Sequence, residues 1–345
     1  MLAFTSSTTS RGFSSEAATG SLTIAIVTWN VCELLCECLQ SLADDGVPEW
    51  ADVVVVDNCS ADATVETVRK RFPWARVEAK GENLGFSRSN NYVLERCETE
   101  FALLLNPDTV VHPGAVRALV DHMIANPRTG AVGPRQVSRD GSVQYEAAVA
   151  LPTVWNVASE WLLLNRIFRG SRIFDGRKLG HWDHSDTREV PAIPGSAMLL
   201  RMSALAETGL LDETMFIIED MDLCRRLREA GWRVDYLATH SILHYGGESI
   251  AKKGGGFKCQ VAYQSFWLYL RKHDGRLPAL ALTAFVWVWS VTVLGLAGAS
   301  AVVAGGRTPA RLRQWREWAS GLLAWSVADK WKFEHGLAAS PRRPA

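Results

Sequence analysis

Three short apolar runs constrain this chain more than anything else in it. Leu22–Val27, Asp52–Val56 and Phe101–Leu105 are dominated by Val, Ile and Leu, and each stops at a polar turn. The turns are Thr28-Trp29-Asn30, Asp57-Asn58-Cys59-Ser60 and Asn106-Pro107-Asp108. Apolar runs this continuous suit strands buried on both faces. Helical patterns alternate with them. Val31–Ala43 puts Leu34, Leu35, Cys38, Leu39 and Leu42 on one face. Ser60 or Asp62 is placed to cap a helix carrying Val65, Val68 and Phe72, which Pro73 stops. Val77–Ala79 reads as a weak strand and Phe86–Arg96 as a helix. Pro113 opens a helix bearing Val116, Leu119, Val120 and Met123. This alternation predicts an α/β fold: a mostly parallel sheet with helices on both faces. Strands joined by crossover helices point the same way, so the polar turns fall on one sheet edge, where such folds bind ligands.

Past Ala131 the pattern loosens. Ala131–Gly133, Val143–Tyr145 and Ala197–Leu200 look strand-like, whereas Leu151–Val190 mixes Trp, His, Arg and Asp without a period. Asp220–Ala230 reads as a helix with Leu223 and Leu227 aligned and Gly231 just beyond its end. Its start carries Glu219, Asp220 and Asp222. Acidic residues favour a helix N-terminus, but three in four positions exceed what capping needs. Crowded carboxylates raise at least one pKa, which suits a general base. At the other strand ends, Asp57 can accept a hydrogen bond from a pyrimidine N3–H. Asp108 can hold a divalent cation whose charge offsets a diphosphate.

Several function classes are disfavoured. Net charge is zero, so no bulk field favours nucleic acid. No G-x-G-x-x-G follows the first strand and no G-x-x-x-x-G-K-[ST] is present. Cys32, Cys36 and Cys38 lie in a helical stretch without a completing pair and read as small buried residues of a reduced, cytosolic protein. His181 and His184 have no evident third ligand. Residues 1–20 are rich in Ser, Thr, Ala and Gly, lack a signal-like apolar core, and read as a disordered tail.

From Leu277 to Gly306 no charged residue occurs. About 20 apolar residues suffice to cross a bilayer, so this stretch reads as one transmembrane span or a re-entrant hairpin broken near Gly295–Gly298. Arginines flank both ends, leaving orientation open. The tail 307–345 is basic, and Trp315, Trp318, Trp325 and Trp331 suit an interfacial amphipathic segment.

The ordered set Val27-Thr28-Trp29-Asn30, Val56-Asp57-Asn58-Cys59-Ser60, Glu82-Asn83-Leu84-Gly85-Phe86 with Asn90-Asn91, Asn106-Pro107-Asp108, Pro194-Gly195-Ser196-Ala197-Met198 and Glu219-Asp220-Met221-Asp222 resembles family 2 glycosyltransferases, most of all their bacterial rhamnosyltransferase-type branch. The resemblance covers roughly Leu22 to His273. It implies a GT-A fold, Rossmann-like, over 21–273, with a nucleotide-binding half at 21–130 and an acceptor half at 131–250. It implies an inverting transferase using a nucleoside-diphosphate sugar, dTDP-rhamnose favoured, with a lipid-linked or polysaccharide acceptor in cell-envelope glycan synthesis. Membrane-associated helices would follow, at the cytoplasmic face of the inner membrane.

By the same resemblance, Thr28 and Asn30 border the nucleotide and Asp57 reads the base. Asn83, Gly85 and Asn90 line the nucleotide–sugar pocket. Asp108 holds Mg²⁺ or Mn²⁺, with Asn106 standing where a first Asp often stands and His244 able to complete the site. Asp220 is the general base, with Gly195 and Glu219 on the acceptor side. Lys252 and Lys253, before Gly254-Gly255-Gly256, are placed to close over the diphosphate. The processive-synthase motif Gln-x-x-Arg-Trp is absent. Two other classes stay in view: a sugar nucleotidyltransferase, which lacks its Gly-rich basic signature here, and a non-catalytic sugar-binding scaffold. Within the transferase reading, a UDP- or GDP-hexose is the alternative donor.

Overall fold

The computed structural model describes residues 22–246, 255–303 and 310–324. The N-terminal tail, Lys252, Lys253, Gly254, Trp325 and Trp331 lie outside the described residues.

The first half follows the predicted alternation. Strand β1 (Leu22–Thr28) leads to helix α1 (Cys32–Asp44), β2 (Ala51–Asp57), α2 (Thr64–Arg71), β3 (Arg76–Ala79), α3 (Phe86–Leu94), β4 (Phe101–Leu105), β5 (Thr109–Val111) and α4 (Ala115–Ala125). Then come β6 (Thr129–Val137), α5 (Val154–Trp161), α6 (Leu164–Ile167), β7 (Arg188–Glu189), β8 (Ala197–Arg201), α7 (Met202–Thr208), α8 (Glu219–Glu229) and β9 (Arg233–His244). The chain closes with α9 (Gly255–His273), α10 (Arg276–Val303) and α11 (Ala310–Ala324).

The strands form one sheet in the order β3-β2-β1-β4-β8-β6-β9-β5, with β7 paired to β9. The nucleotide half, β3 to β4, is wholly parallel. Beyond it the sheet is mixed, because β8 enters antiparallel to both β4 and β6 while β6 and β9 run parallel.

Alternation along the strands sorts their side chains into two cores. Ile24, Ile26, Val53, Val55, Leu103 and Leu105 meet Leu35 and Leu39 of α1, Val68 of α2 and Val116 of α4. Ala25, Val54, Val56, Ala102 and Leu104 meet Val93 of α3, Leu205 of α7 and Leu223 of α8. Burial on both faces is why these strands read as continuous apolar runs. The second face is filled by Ala more often, letting α3 and α8 approach closely. Cys36 and Cys38 are buried within the first core, as small apolar residues would be. His181 is exposed while His184 is buried, its ring stacked on Trp182 at 4.1 Å.

A third core joins the C-terminal helices to the catalytic body. Phe266, Trp267 and Leu270 of α9, Leu282, Val286 and Trp289 of α10, and Ala319 and Leu322 of α11 pack with Val157 of α5 and with Met215 and Ile218. Helix α10 runs unbroken through Gly295 and Gly298. Its stretch Arg276–Ser300 is long and apolar enough to cross a membrane, and 33% of its most apolar window is buried in the protein. Leu280, Val288, Val291 and Leu296 point outward. A soluble core helix would hide such side chains, so α10 has an apolar face in want of a non-aqueous neighbour.

Candidate active site

The edge where β1, β2 and β4 end gathers the first group of residues. Thr28 and Asp57 are register partners at the last position of the β1–β2 ladder. Both are buried, and Thr28 Oγ1 and Asp57 Oδ1 find no hydrogen-bond partner among the described residues. The other oxygen of Asp57 accepts from the Ser60 N–H at 3.0 Å, which fixes the carboxylate's rotation. Buried polar atoms normally have partners, and a carboxylate oxygen left without one is costly. Here the orphan atoms face a ligand-binding edge.

Asn30 holds the rim of this edge. Its backbone is left-handed, with φ of 56°, a conformation Asn tolerates better than most residues. Its Oδ1 accepts from the Ala61 N–H at 2.7 Å, and its N–H donates to Ser60 Oγ at 2.9 Å. The β1 and β2 turns are thereby tied together. The capping expectation for α2 is corrected here: Ser60 serves Asn30 instead. Asp62 stands one residue ahead of the N-cap, Ala63, and accepts from the Thr64 N–H and the Cys32 N–H.

Asn58 was quoted in the sequence motif but given no role, and it proves to be a hub. Its Nδ2 donates to Gly85 O at 3.2 Å, and its Oδ1 accepts from Ser89 Oγ at 2.7 Å. It fastens the Asn83–Phe86 loop to the end of β2. Within that loop Asn83 Oδ1 accepts from the Gly85 N–H, and Gly85 has φ of 82°. Asn90, on the next turn, donates to Phe86 O while its buried Oδ1 has no hydrogen-bond partner among the described residues.

Phe86 then carries the site across to its other half. A β-carbon on Gly195 would stand 3.1 Å from Phe86 Cζ, a contact tight enough that the ring would have to give. The Gly195 N–H donates to Asp220 Oδ2 at 2.9 Å, and the Met221 N–H donates to Oδ1 at 2.7 Å. Asp220 is thus held at the first turn of α8 by two backbone donors. Burial raises its pKa to about 6, although those bonds pull the other way. Its neighbour Glu219 is more deeply buried, its Oε2 without a hydrogen-bond partner among the described residues, and burial together with the charge of Asp220 pushes it to about 8. At neutral pH the pair therefore splits: Glu219 keeps its proton and Asp220 gives its up.

The third group lies where β4 meets β5. The Asn106 N–H donates to Ser196 O, and Ser196 Oγ is held by the buried Gln136 at 2.8 Å. Asp108 is buried, and His244, a register partner of Thr109, brings Nε2 within 3.4 Å of Asp108 Oδ1. His244 Nδ1 lies 3.2 Å from Gln144 Oε1. Gln144 thereby orients the imidazole, whose Nε2 has no hydrogen-bond partner among the described residues. An imidazole nitrogen beside a buried carboxylate has the donor chemistry of a cation site. Gln136 and Gln144 were not legible as site residues, since each acts by orienting a partner distant in sequence.

Asp57, Asn58, Gly85, Phe86, Gly195 and Asp220 form one connected path. Asn106 through Ser196, and Asp108 through His244, border it from the β4 side. The arrangement offers a carboxylate for a base edge, a two-member cation seat, and a weakly acidic carboxyl poised to take a proton.

Comparison with known proteins bears on this arrangement. The family model "Glycosyl transferase family 2" matches residues 23–208. An N-acetylglucosaminyl-diphospho-decaprenol L-rhamnosyltransferase of Mycobacterium tuberculosis is 29% identical over 244 residues, 65% of this chain and 76% of that protein. A mannosyltransferase from Pyrobaculum calidifontis, solved with GDP-mannose and Mn²⁺, superposes with a TM-score of 0.54 over 90% of this chain and 87% of its own, at 16% identity. GalNAc-T7, solved with UDP, GalNAc and Mn²⁺, gives 0.53 over 92% of this chain and 58% of its own, at 13% identity. At such identities these last two speak for the fold.

Proposed function

The chain belongs to glycosyl transferase family 2 and is a glycosyltransferase, and from that premise we propose that it moves L-rhamnose from dTDP-rhamnose onto a lipid-linked glycan in cell-envelope synthesis. The rhamnosyltransferase relative, whose name specifies a diphospho-decaprenol-linked acceptor, supports the donor and acceptor classes. The observation that carries the reading is a pair of carboxylates in different surroundings: Asp108 beside His244, and Asp220 held by two backbone N–H groups and raised by burial.

In this reading Asp57 Oδ1 accepts the N3–H of a thymine or uracil ring, with Thr28 and Asn30 at its border. Asn83, Gly85 and Asn90 line the ribose–diphosphate path beside Asn106 and Asp108. Asp108 and His244 would hold Mg²⁺ or Mn²⁺, which when bound offsets the charge of the departing diphosphate. Gly195 and Glu219 border the acceptor. Asp220 takes the proton of the acceptor hydroxyl as its oxygen bonds to the anomeric carbon. The bond from that carbon to the diphosphate oxygen breaks on the opposite face. The sugar is inverted, as is typical of the family, and the nucleoside diphosphate leaves with the electron pair. Protonated Glu219 adds no second negative charge beside the base. Helix α10 would anchor the enzyme at the cytoplasmic face of the inner membrane, where nucleotide sugars are available.

The test is transfer from labelled dTDP-rhamnose, UDP-hexoses and GDP-hexoses to a polyprenyl-diphosphate-linked GlcNAc acceptor, with Mn²⁺. Transfer from dTDP-rhamnose alone is expected. Preferential transfer from a UDP- or GDP-hexose would replace the donor. Neither transfer nor donor hydrolysis with any sugar would leave a sugar-binding scaffold.

A further inference from the structure

The segment without a period, Leu151–Val190, carries a surface that the transfer reaction does not use. Helices α5 and α6 and the turn after them expose Trp155, Leu162, Ile167, Phe168 and Ile173, with Ile167 69% and Ile173 62% accessible. These side chains are held in place. Trp155 Nε1 donates to Ile173 O at 2.9 Å, and Phe168 stacks on Phe174 with centroids 4.7 Å apart. Arg166, Arg169 and Arg172 are interleaved with them. All three are exposed and none makes an ion pair among the described residues. The acidic Glu160 nearby is already neutralised by Arg177. The result is a rigid apolar face studded with unpaired cations.

The segment is anchored to α10: Trp161 of α5 meets Trp289, on the buried side of α10, edge to face with centroids 5.4 Å apart.

We propose that the Trp155–Ile173 face docks onto the surface of an anionic phospholipid bilayer, as a second membrane contact made by the catalytic body. Aromatic and aliphatic side chains beside arginines are the chemistry of the headgroup–acyl boundary, and the unpaired arginines complement anionic headgroups. The inference extends the reading of α10 as an anchor and is carried by the exposed apolar side chains and unpaired arginines of the face itself.

The test uses the full chain in phosphatidylcholine vesicles with and without phosphatidylglycerol, following hydrogen exchange of the backbone amides of residues 162–173. Stronger protection with phosphatidylglycerol is expected, weakening with added salt. A variant combining Arg166→Glu, Arg169→Glu and Arg172→Glu should exchange faster there by roughly tenfold or more, with unchanged thermal stability. Ile167→Ser with Phe168→Ser should do likewise. Equal exchange in both vesicle types, or indifference to charge reversal, overturns the proposal. Protection that rises with protein concentration in the absence of vesicles also overturns it, in favour of a second copy as occupant. Carbonate extraction reports α10 separately: a protein that is stripped by carbonate yet shows lipid-dependent protection before extraction would sink the anchor and keep the docking face.

Discussion

In the proposed mechanism one residue, Asp220, decides the chemistry. Two backbone N–H groups hold its oxygens in place and burial keeps it a competent base. Asp220→Asn should fold with an unaltered melting temperature and lose transfer by roughly 10²–10⁴-fold, read as kcat. In the parent enzyme, kcat should rise with pH through about 6 as Asp220 ionises, and the Asn variant should lose that limb. Glu219 gives a stability test. Its folded pKa of about 8 exceeds the ordinary glutamate value of 4.5. Stability from its proton is therefore complete below 4.5 and is lost as pH climbs toward 8. Glu219→Gln keeps the neutral form throughout, so its melting temperature should overtake the parent's increasingly between those pH values and stay level with it below them. Asp57 and Asp220 were legible because a strand end and a helix start announce them. Asn58 was less so: nothing local marks an asparagine whose partners, Gly85 and Ser89, arrive from another loop.

Among the elements, strands β1, β2 and β4 follow the apolar runs to within a residue. β6 is longer than Ala131–Gly133 suggests, since Gly130, Gly133 and Pro134 break its pattern. The ladder to β9 absorbs them with register shifts around Gly130 and between Pro134 and Arg135. β9 was not read at all as a strand over Arg233–His244. Its Val234 and Tyr236 alternate with Arg233 and Asp235, but residues 238–240 fall outside the ladder to β6, between Leu237 and Ser241, and Asp235 is itself buried, bonded to His122 and Thr129. A buried carboxylate with partners far away in sequence cannot be told from a loop residue. The contact of Phe86 with Gly195 joins the two halves of the site. Gly195→Ala must displace that ring, so it should raise KM for the donor several-fold and cost ~1–3 kcal/mol by denaturant titration. Helix α8 is also clamped from behind. Asp222 is fully buried and accepts from Arg226 at 2.8 Å, Lys272 at 2.8 Å and His273 at 2.7 Å, which together hold its pKa near 2. Asp222→Ala would leave Arg226, Lys272 and His273 without their common partner, at a cost of roughly 3–5 kcal/mol. It should also loosen α9 from α8, visible as faster hydrogen exchange in both.

For the whole molecule, the mixed sheet carries Asp108 just beyond β4 and Asp220 at the start of α8, linked through Ser196 and Gly195 at the head of β8. The metal reading predicts that excess chelator abolishes transfer and that Mn²⁺ or Mg²⁺ restores it; full activity in chelator would remove Asp108 and His244 from that role. The family and fold were legible because the motifs sit at topologically forced positions. The path of Leu151–Val190 was not, because it is fixed by scattered side-chain bonds such as Ser159 Oγ to Phe174 O rather than by a repeating pattern.

Met215 and Ile218, just ahead of Glu219 and Asp220, are packed in the same core as α9 and α10. With α10 seated in a bilayer, that shared core works like a depth gauge: it sets the altitude at which the proton is taken. An acceptor hydroxyl close to its lipid diphosphate would arrive at that altitude, whereas one carried outward by intervening sugars would overshoot it. Comparing turnover on acceptors bearing one, two and three sugars would read the gauge directly, with the steepest fall expected at the first added unit.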